Sequence, residues 1–172
     1  MLKVVKLIKD SADVEAVKAL YENSFPENER VDFDYILTCS ETNEVPYEIL
    51  AVYDDGLFVG FVVALTSGDI SHLLFFAVDE KLRSKGYGSK ILKAVHDSKP
   101  GQRFIADVEK PDTKSDNNEQ REKRIRFYSR NGYVMTDVEY SWHEENYMIM
   151  SYGGKVSKEE HAAFWKRRTE NK

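Results

Sequence analysis

Residues 70–89 read ISHLLFFAVDEKLRSKGYGS and contain the strongest structural signals in the sequence. Its first nine residues, Ile70–Val78, form a nearly continuous apolar and aromatic run, which is typical of a central strand covered on both faces. A basic turn with two glycines follows, and apolar residues between positions 91 and 95 then recur at the spacing of a helix face. The pattern predicts a buried strand, a turn and a helix that begins near Gly86.

The turn has the features of an anion-binding site. Arg83 and Lys85 stand beside Gly86 and Gly88, where the helix is predicted to begin. The first turn of a helix has unpaired N–H groups and a positive dipole end, and glycine lets a phosphate approach the backbone closely. Glycines also permit tight turns without a ligand, so the spacing alone leaves both interpretations open. The sequence lacks the earlier glycine of a Rossmann fingerprint and the Gly-Lys-Ser/Thr triplet of a P-loop.

Patterning on either side of this stretch predicts the element order βααβββαβαββα. Strands are predicted at 2–8, 47–53, 57–66, 70–78, 103–109, 133–140 and 147–152, with a hairpin turn at Asp54-Asp55-Gly56. Helices are predicted from a cap at Asp10 or Ser11 to residue 23, and at 31–40, 86–97, 119–130 and 157–168, the last opened by a Ser157/Glu160 capping box. Residues 110–120 are predicted to form a polar loop. Helices that interrupt a mostly antiparallel series favour an α+β fold over a doubly wound sheet.

The composition indicates one folded domain, residues 1–172. It is 41% hydrophobic and 32% charged, as is usual for globular proteins. No apolar run approaches the ~20 residues needed to span a bilayer, so we expect no membrane segment and a cytoplasmic location. Cys39 is the only cysteine, which excludes an internal disulfide and agrees with this location.

Charge is distributed unevenly along the chain. Residues 1–70 carry five Lys and Arg against fourteen Asp and Glu, whereas residues 71–172 carry twenty against sixteen. The basic part suits a phosphorylated cofactor, and the acidic part suits a cation. The net charge of −5 argues against nucleic acid as a partner, because nucleic-acid binding requires a strongly basic surface.

Two motifs carry a resemblance to a known family. Residues 83–88, RSKGYG after an apolar strand, resemble the Arg/Gln-x-x-Gly-x-Gly/Ala signature of the GNAT N-acetyltransferase superfamily. Residues 124–133, RIRFYSRNGY, resemble its later segment, in which an aromatic residue and a tyrosine precede a glycine turn. The spacing of the motifs and the element order also match, so the resemblance covers most of the chain. Arg121 departs from the pattern, since many relatives have an asparagine seven residues before the tyrosine that contacts the pantetheine arm.

The resemblance implies a mixed, mostly antiparallel central sheet of about seven strands with helices on both faces. It also implies acetyl-CoA as a co-substrate, with the backbone of Phe76, Ala77 and Val78 beside the pantetheine arm and able to polarise the thioester carbonyl. The residues expected to cradle the pyrophosphate are Arg83, Ser84, Lys85, Gly86, Tyr87, Gly88 and Ser89.

Acyl transfer to an amine needs a base that takes a proton from the acceptor ammonium and an acid that protonates the leaving thiolate. The resemblance gives Tyr128 the position of the general acid, and a phenol with a reference pKa near ~10 is protonated at neutral pH. Glu109, at the end of a predicted strand, is the predicted base, either directly or through a water. The competing candidates for the base are Glu29, Asp32, His72 and His143.

We therefore expect an N-acetyltransferase that moves an acetyl group by direct transfer to the primary amine of a small acceptor. The acidic segment 27–34 favours a cationic acceptor. No metal is expected, and the protein is expected to be a monomer or a homodimer. Two alternatives stay open, namely a protein or peptide N-acetyltransferase and a non-catalytic CoA-binding regulatory module with the same fold.

Overall fold

The computed structural model describes the backbone of residues 1–170 and the side chains of residues 1–167. The strands are β1 (Leu2–Lys6), β2 (Tyr47–Asp54), β3 (Leu57–Ser67), β4 (Ile70–Val78), β5 (Arg103–Glu109), β6 (Val134–Trp142) and β7 (Glu145–Tyr152). The helices are α1 (Val14–Ser24), α2 (Phe33–Thr42), α3 (Tyr87–Ser98), α4 (Asn118–Arg130) and α5 (Lys158–Glu170). All these strands form one sheet in the order β1-β2-β3-β4-β5-β7-β6. The predicted element order and the α+β class, with a mixed and mostly antiparallel sheet, are confirmed.

The chain forms two compact units. The first unit comprises Met1–Thr66 and Leu73–Pro100, and the second comprises Ser67–His72 and Gly101–Lys172. Across residues 1–170, every helix is too short or too polar to cross a bilayer.

The strand pairing of the first unit follows the predicted hairpin. β2 runs antiparallel to both β1 and β3, with Tyr47 opposite Leu65. The connecting turn places Asp55 at φ 46° and Gly56 at φ 84°. Two successive left-handed residues match the right-handed twist of the flanking strands, which is why an Asp-Gly pair is favoured there.

The core of the first unit is formed by the apolar face of α3 and by the sheet. Ile91, Leu92 and Val95 are fully buried, as their helical spacing predicts. On α1, the ring of Tyr21 contacts Phe75 edge-on at 5.0 Å between centroids. The Tyr21 hydroxyl also donates to the Val31 carbonyl at 2.8 Å and accepts from the Val31 N–H at 3.0 Å, so it fixes the segment that leads into α2.

The start of α1 differs from the prediction. Neither Asp10 nor Ser11 caps the helix, which begins at Val14 after Asp13. The side chains with capping ability are engaged elsewhere, since Ser11 Oγ accepts from the Ile8 N–H at 3.0 Å and Asp13 Oδ2 accepts from the Tyr53 hydroxyl at 2.7 Å. A local hydrogen bond of Ser11 and a long-range hydrogen bond of Asp13 thus occupy side chains that could otherwise cap the helix.

Burial along β4 is less complete than predicted. Residues 70–73 are buried, whereas residues 74–76 and Val78 are half-buried. The boundaries of the strand are those predicted, but coverage on both faces holds only for its first half.

The second unit consists mainly of β7 between β5 and β6, both antiparallel to it, together with α4 and α5. The register of β6 and β7 shifts between Met135 and Glu139. The predicted polar loop is shorter than expected, because α4 already begins at Asn118. The capping box of α5 is confirmed, with Ser157 N–H donating to Glu160 Oε2 at 2.9 Å and Glu160 N–H donating to Ser157 Oγ at 3.1 Å.

Candidate active site

The turn between β4 and α3 belongs to the first unit and is fixed by its own backbone. Asp79 N–H donates to the Val59 carbonyl at 2.9 Å, which anchors the end of β4 to β3. Asp79 Oδ1 accepts from the Lys81 N–H at 2.9 Å and so caps a 3-10 turn over Glu80–Leu82. Arg83 Nε donates to the Val78 carbonyl at 3.4 Å. The chain therefore enters the glycine-bearing segment from a defined position.

Two left-handed residues shape the rest of the turn. Ser84 has φ 63°, and Gly86 has φ 80° and is the N-cap of α3. A glycine N-cap has no side chain to occupy the N–H groups of the first helical turn, so these donors remain available to an anion. A Cβ built on Gly86 would meet no described protein atom within 4 Å. Glycine is therefore favoured here by the backbone conformation and not by crowding within the protein.

The charges around this turn also suit an anion. Arg83, Ser84 and Lys85 are exposed, next to the positive end of the α3 dipole. Tyr87 is held in place, because its hydroxyl donates to Asp54 Oδ2 at 2.7 Å and Lys90 Nζ lies 5.1 Å from its ring centroid. The hydrogen bond to Asp54 raises the pKa of Tyr87. Among the predicted pyrophosphate residues, the exposed cations Arg83 and Lys85 thus directly precede the start of α3.

Close approach between strands also marks the end of β4. A Cβ on Gly60 of β3 would lie 2.5 Å from the Ala77 carbonyl oxygen and 2.7 Å from Ile91 Cδ1. Ala77 is buried, and Phe76 and Val78 are half-buried. The backbone roles predicted for Phe76, Ala77 and Val78 remain predictions.

Tyr128 belongs to the second unit and lies in the last turn of α4. Its side chain is buried, and its ring meets Tyr133 at 5.0 Å and Phe127 at 5.4 Å between centroids. Burial raises the pKa of Tyr128, because the phenolate would lose its hydration. The phenol is therefore protonated at neutral pH, which is the state that a general acid needs.

Glu109, the predicted base, ends β5 and pairs with Arg121. Glu109 Oε2 lies 2.9 Å from Arg121 Nη2 and accepts from Asn117 Nδ2 at 3.4 Å. Arg121 is buried and also donates to Asn117 Oδ1 at 2.8 Å, to the Lys110 carbonyl at 2.9 Å and to Glu145 Oε1 at 2.9 Å. Arg121, which departs from the family pattern, thus links the end of β5 to the starts of α4 and β7. The assignment of Glu109 as the base remains a prediction.

The other candidate bases have different surroundings. Asp32 caps α2 by accepting from the Tyr35 N–H at 3.1 Å, and Glu29 lies on an exposed 3-10 turn. His143 occupies the β6–β7 turn at φ 48°, with its ring 4.0 Å from that of Trp142. His72 is buried on β4 and pairs with a carboxylate that the sequence analysis did not single out, Asp107.

The signal for the His72–Asp107 pair was present in the sequence. Each is a polar residue inside a mostly apolar strand, ISHLLFFAV for His72 and RFIADVE for Asp107. Polar groups in buried strands need partners, but the partner of each lies on a different strand. Within residues 1–170, no group of three or more His, Cys, Asp or Glu side chains is placed to hold a metal ion.

The acidic segment 27–34 has fewer free charges than its composition indicates. Asp34 pairs with Lys18 at 3.2 Å, and Asp32 is the α2 cap described above. The acidic and basic parts of the sequence do not correspond to the two units. The basic turn at Arg83 and Lys85 lies in the first unit, together with the acidic N-terminal residues. This segment alone therefore supports a cationic acceptor only weakly.

Solved structures with the same fold come from several organisms. An acetyltransferase described as a GNAT family member from Bacteroides thetaiotaomicron has a TM-score of 0.80 at 19% identity, covering 97% of this chain and 96% of its own. An aminoglycoside 6'-N-acetyltransferase in complex with coenzyme A has a TM-score of 0.66 at 14% identity, with coverage of 87% and 95%. The ribosomal-protein-S18-alanine N-acetyltransferase from Escherichia coli has a TM-score of 0.58 at 16% identity, with coverage of 92% and 97%. At these identities the likeness concerns the fold.

No curated protein matches the sequence of the chain. A family model does match it, and such a match is evidence for the family as well as for the fold. The model of the acetyltransferase (GNAT) domain matches residues 46–135, which is more than half of the 172 residues and includes both β4 and the basic turn. This match and the fold agree with the two sequence motifs, and the chain belongs to the GNAT acetyltransferase family.

Proposed function

We propose that residues 1–172 act as a single domain that transfers an acetyl group from acetyl-CoA to the primary amine of a small, cationic acceptor. The observation that carries this proposal is the turn before α3. Left-handed Ser84 and Gly86 precede uncapped helical N–H groups, and Arg83 and Lys85 flank them. A diphosphate is the anion that such a surface suits, because it accepts several hydrogen bonds and carries more than one negative charge.

Tyr128 is the proposed general acid. Transfer of the acetyl group breaks the carbon–sulfur bond of the thioester and forms a carbon–nitrogen bond, and the sulfur leaves with the bonding electron pair. The Tyr128 phenol, kept neutral by burial, supplies the proton that turns this thiolate into a thiol.

Glu109 is the proposed base, taking the proton that the acceptor nitrogen loses. Its partner Arg121 is shared with Glu145, so the three side chains carry one net negative charge. Asn117 and Arg121 also fix the direction of the Glu109 carboxylate.

The proposed function is tested by following the release of free thiol from acetyl-CoA in the presence of different amines. The panel should contain a polyamine, an aminoglycoside and a peptide with a free N-terminal alanine, with the acetylated product identified by mass spectrometry. We expect thiol release that depends on a small amine. Tight binding of CoA without release for any amine would favour the regulatory module, and release with the peptide alone would favour a protein N-acetyltransferase.

The role of Glu109 is tested by a matched pair of substitutions. Glu109→Gln should lower kcat by about 100-fold, because the side chain keeps its size and polarity but no longer accepts a proton. Glu145→Gln is the control, since Glu145 pairs with the same Arg121 atom at the same 2.9 Å distance but has no proposed catalytic role. Equal effects of the two substitutions on kcat would assign Glu109 to the ion-pair network alone.

A further inference from the structure

The second unit contains a histidine–carboxylate pair that the proposed mechanism does not use. His72 on β4 is 1% exposed, and its Nε2 lies 2.9 Å from Asp107 Oδ2 on β5. The Asp107 side chain keeps 26% of its surface exposed. The carboxylate of a partly exposed residue is therefore hydrogen-bonded to a buried imidazole.

The hydrogen bonds of this pair are incomplete. His72 Nδ1 and Asp107 Oδ1 are both buried and have no hydrogen-bond partner among the side chains that the structure describes. An ionised carboxylate only accepts hydrogen bonds, so Nε2 is the donor between the two residues. Burial alone would raise the pKa of Asp107, but its interactions with His72 and a hydrogen bond with Tyr140 outweigh burial and lower the pKa. Asp107 is thus a carboxylate with spare acceptor capacity.

The groups that face Asp107 and His72 from other elements are neutral. Trp165 Nε1–H on α5 donates to His161 Nε2 at 3.0 Å, and an indole N–H is a donor only, so this histidine is the neutral tautomer. Burial lowers the pKa of His161 in agreement with that assignment. Tyr140 on β6 stacks on Tyr147 at 5.4 Å and on His161 at 6.1 Å between centroids. Burial raises the pKa of Tyr140, which keeps its phenol neutral beside the carboxylate.

The chemistry of this cluster selects a cation with hydrogen-bond donors. Asp107 supplies a negative charge, and the rings of Tyr140, Trp165 and His161 surround the pair with surfaces that attract cations. A metal ion does not suit the cluster, because no set of three metal-binding side chains is formed among residues 1–170. A primary ammonium has three N–H donors and one positive charge. It could donate a hydrogen bond to Asp107 Oδ1, the carboxylate oxygen that lacks a partner.

We propose that Asp107 binds the ammonium group of the acceptor amine and that His72 is a positioning residue that holds the carboxylate for it. This proposal rests on the function proposed above and adds the residue that selects the acceptor as a cation. From the sequence, the acidic segment 27–34 was predicted to attract a cationic acceptor. The proposal gives this role to Asp107.

Binding without turnover tests the proposal. The probes are propylammonium and 2-phenylethylammonium, each compared with the alcohol of the same shape, and calorimetry on the full chain in the presence of CoA measures their affinity. Wild-type protein should bind each ammonium about tenfold more tightly than its alcohol, which corresponds to one charged hydrogen bond. Asp107→Asn should abolish this preference, whereas Asp137→Asn, which removes a charge from an exposed residue of β6, should keep it.

A second substitution separates the charge of Asp107 from its pairing with His72. His72→Gln places an amide donor near the position of Nε2, so the preference for ammonium should persist although the imidazole is gone. Loss of the preference in His72→Gln to the same extent as in Asp107→Asn would assign the pair to structure alone and overturn the proposal. Equal affinity of wild-type protein for ammonium and alcohol would overturn it as well.

A measurement on the unmodified protein covers the case in which Asp107→Asn does not fold. The imidazole ¹⁵N signals of His72 should shift on addition of either ammonium and stay unchanged with either alcohol, and unchanged signals with both probes would contradict the proposal. These outcomes are independent of thiol release. Ammonium binding at Asp107 without thiol release would refute the proposed function, whereas thiol release without ammonium preference would refute only this inference.

Discussion

At the scale of single residues, Tyr128 allows a clean substitution, because phenylalanine differs from tyrosine by the hydroxyl alone. Tyr128→Phe should lower kcat by about 100-fold while the affinity for acetyl-CoA changes little, since a general acid typically contributes that much to the rate. Tyr133→Phe is the matched control, because Tyr133 is buried against the same ring at 5.0 Å. Steady-state kinetics and calorimetry measure the two quantities. An unchanged kcat in Tyr128→Phe would remove this residue from the mechanism.

Gly86 gives a second prediction at this scale. Gly86→Glu should abolish tight binding of acetyl-CoA, because the new side chain brings a negative charge to the phosphate position and a Cβ to a residue at φ 80°. Gly101→Glu is the control, since Gly101 has φ 83° and equally open space around it but lies outside the turn. Calorimetric titration with acetyl-CoA measures the affinity. Retained affinity in Gly86→Glu would refute the placement of the pyrophosphate.

At the scale of secondary structure elements, the approach of β3 to β4 depends on Gly60. Gly60→Ala should lower the free energy of unfolding by about 1–3 kcal/mol, because the added methyl group overlaps the Ala77 carbonyl oxygen and Ile91 Cδ1. Urea denaturation measures the change. In an Ile91→Val background the cost should be smaller but not zero, since the carbonyl remains. An unchanged free energy of unfolding in Gly60→Ala would show that the strands separate at this point without cost.

The elements also show what could be predicted from the sequence. β4 and β5 have the predicted boundaries because each is a mostly apolar run between strong turn signals. The start of α1 was predicted wrongly because Ser11 bonds back to the Ile8 N–H and the helix begins only after Asp13, whose side chain bonds to Tyr53 forty residues away. The Glu109–Arg121 and His72–Asp107 pairs were likewise beyond local patterning, since each joins residues on different elements. The basic turn was predictable because its chemistry lies within a few consecutive residues.

At the scale of the whole molecule, the account assigns a distinct task to each of the two units. The first unit contains the turn proposed to hold the diphosphate, and the second contains Tyr128, Glu109 and Asp107. The chain has the fold of the GNAT acetyltransferase family to which it belongs, and each residue role proposed for it can be tested by a single substitution.

The most direct test of the central claim is a crystal structure of the protein with coenzyme A. We predict that the diphosphate oxygens accept hydrogen bonds from the backbone N–H groups at the start of α3, with Arg83 or Lys85 beside them. A diphosphate bound elsewhere on the protein, or no coenzyme at this turn in a crystal that is saturated with it, would show that the turn is not the coenzyme site.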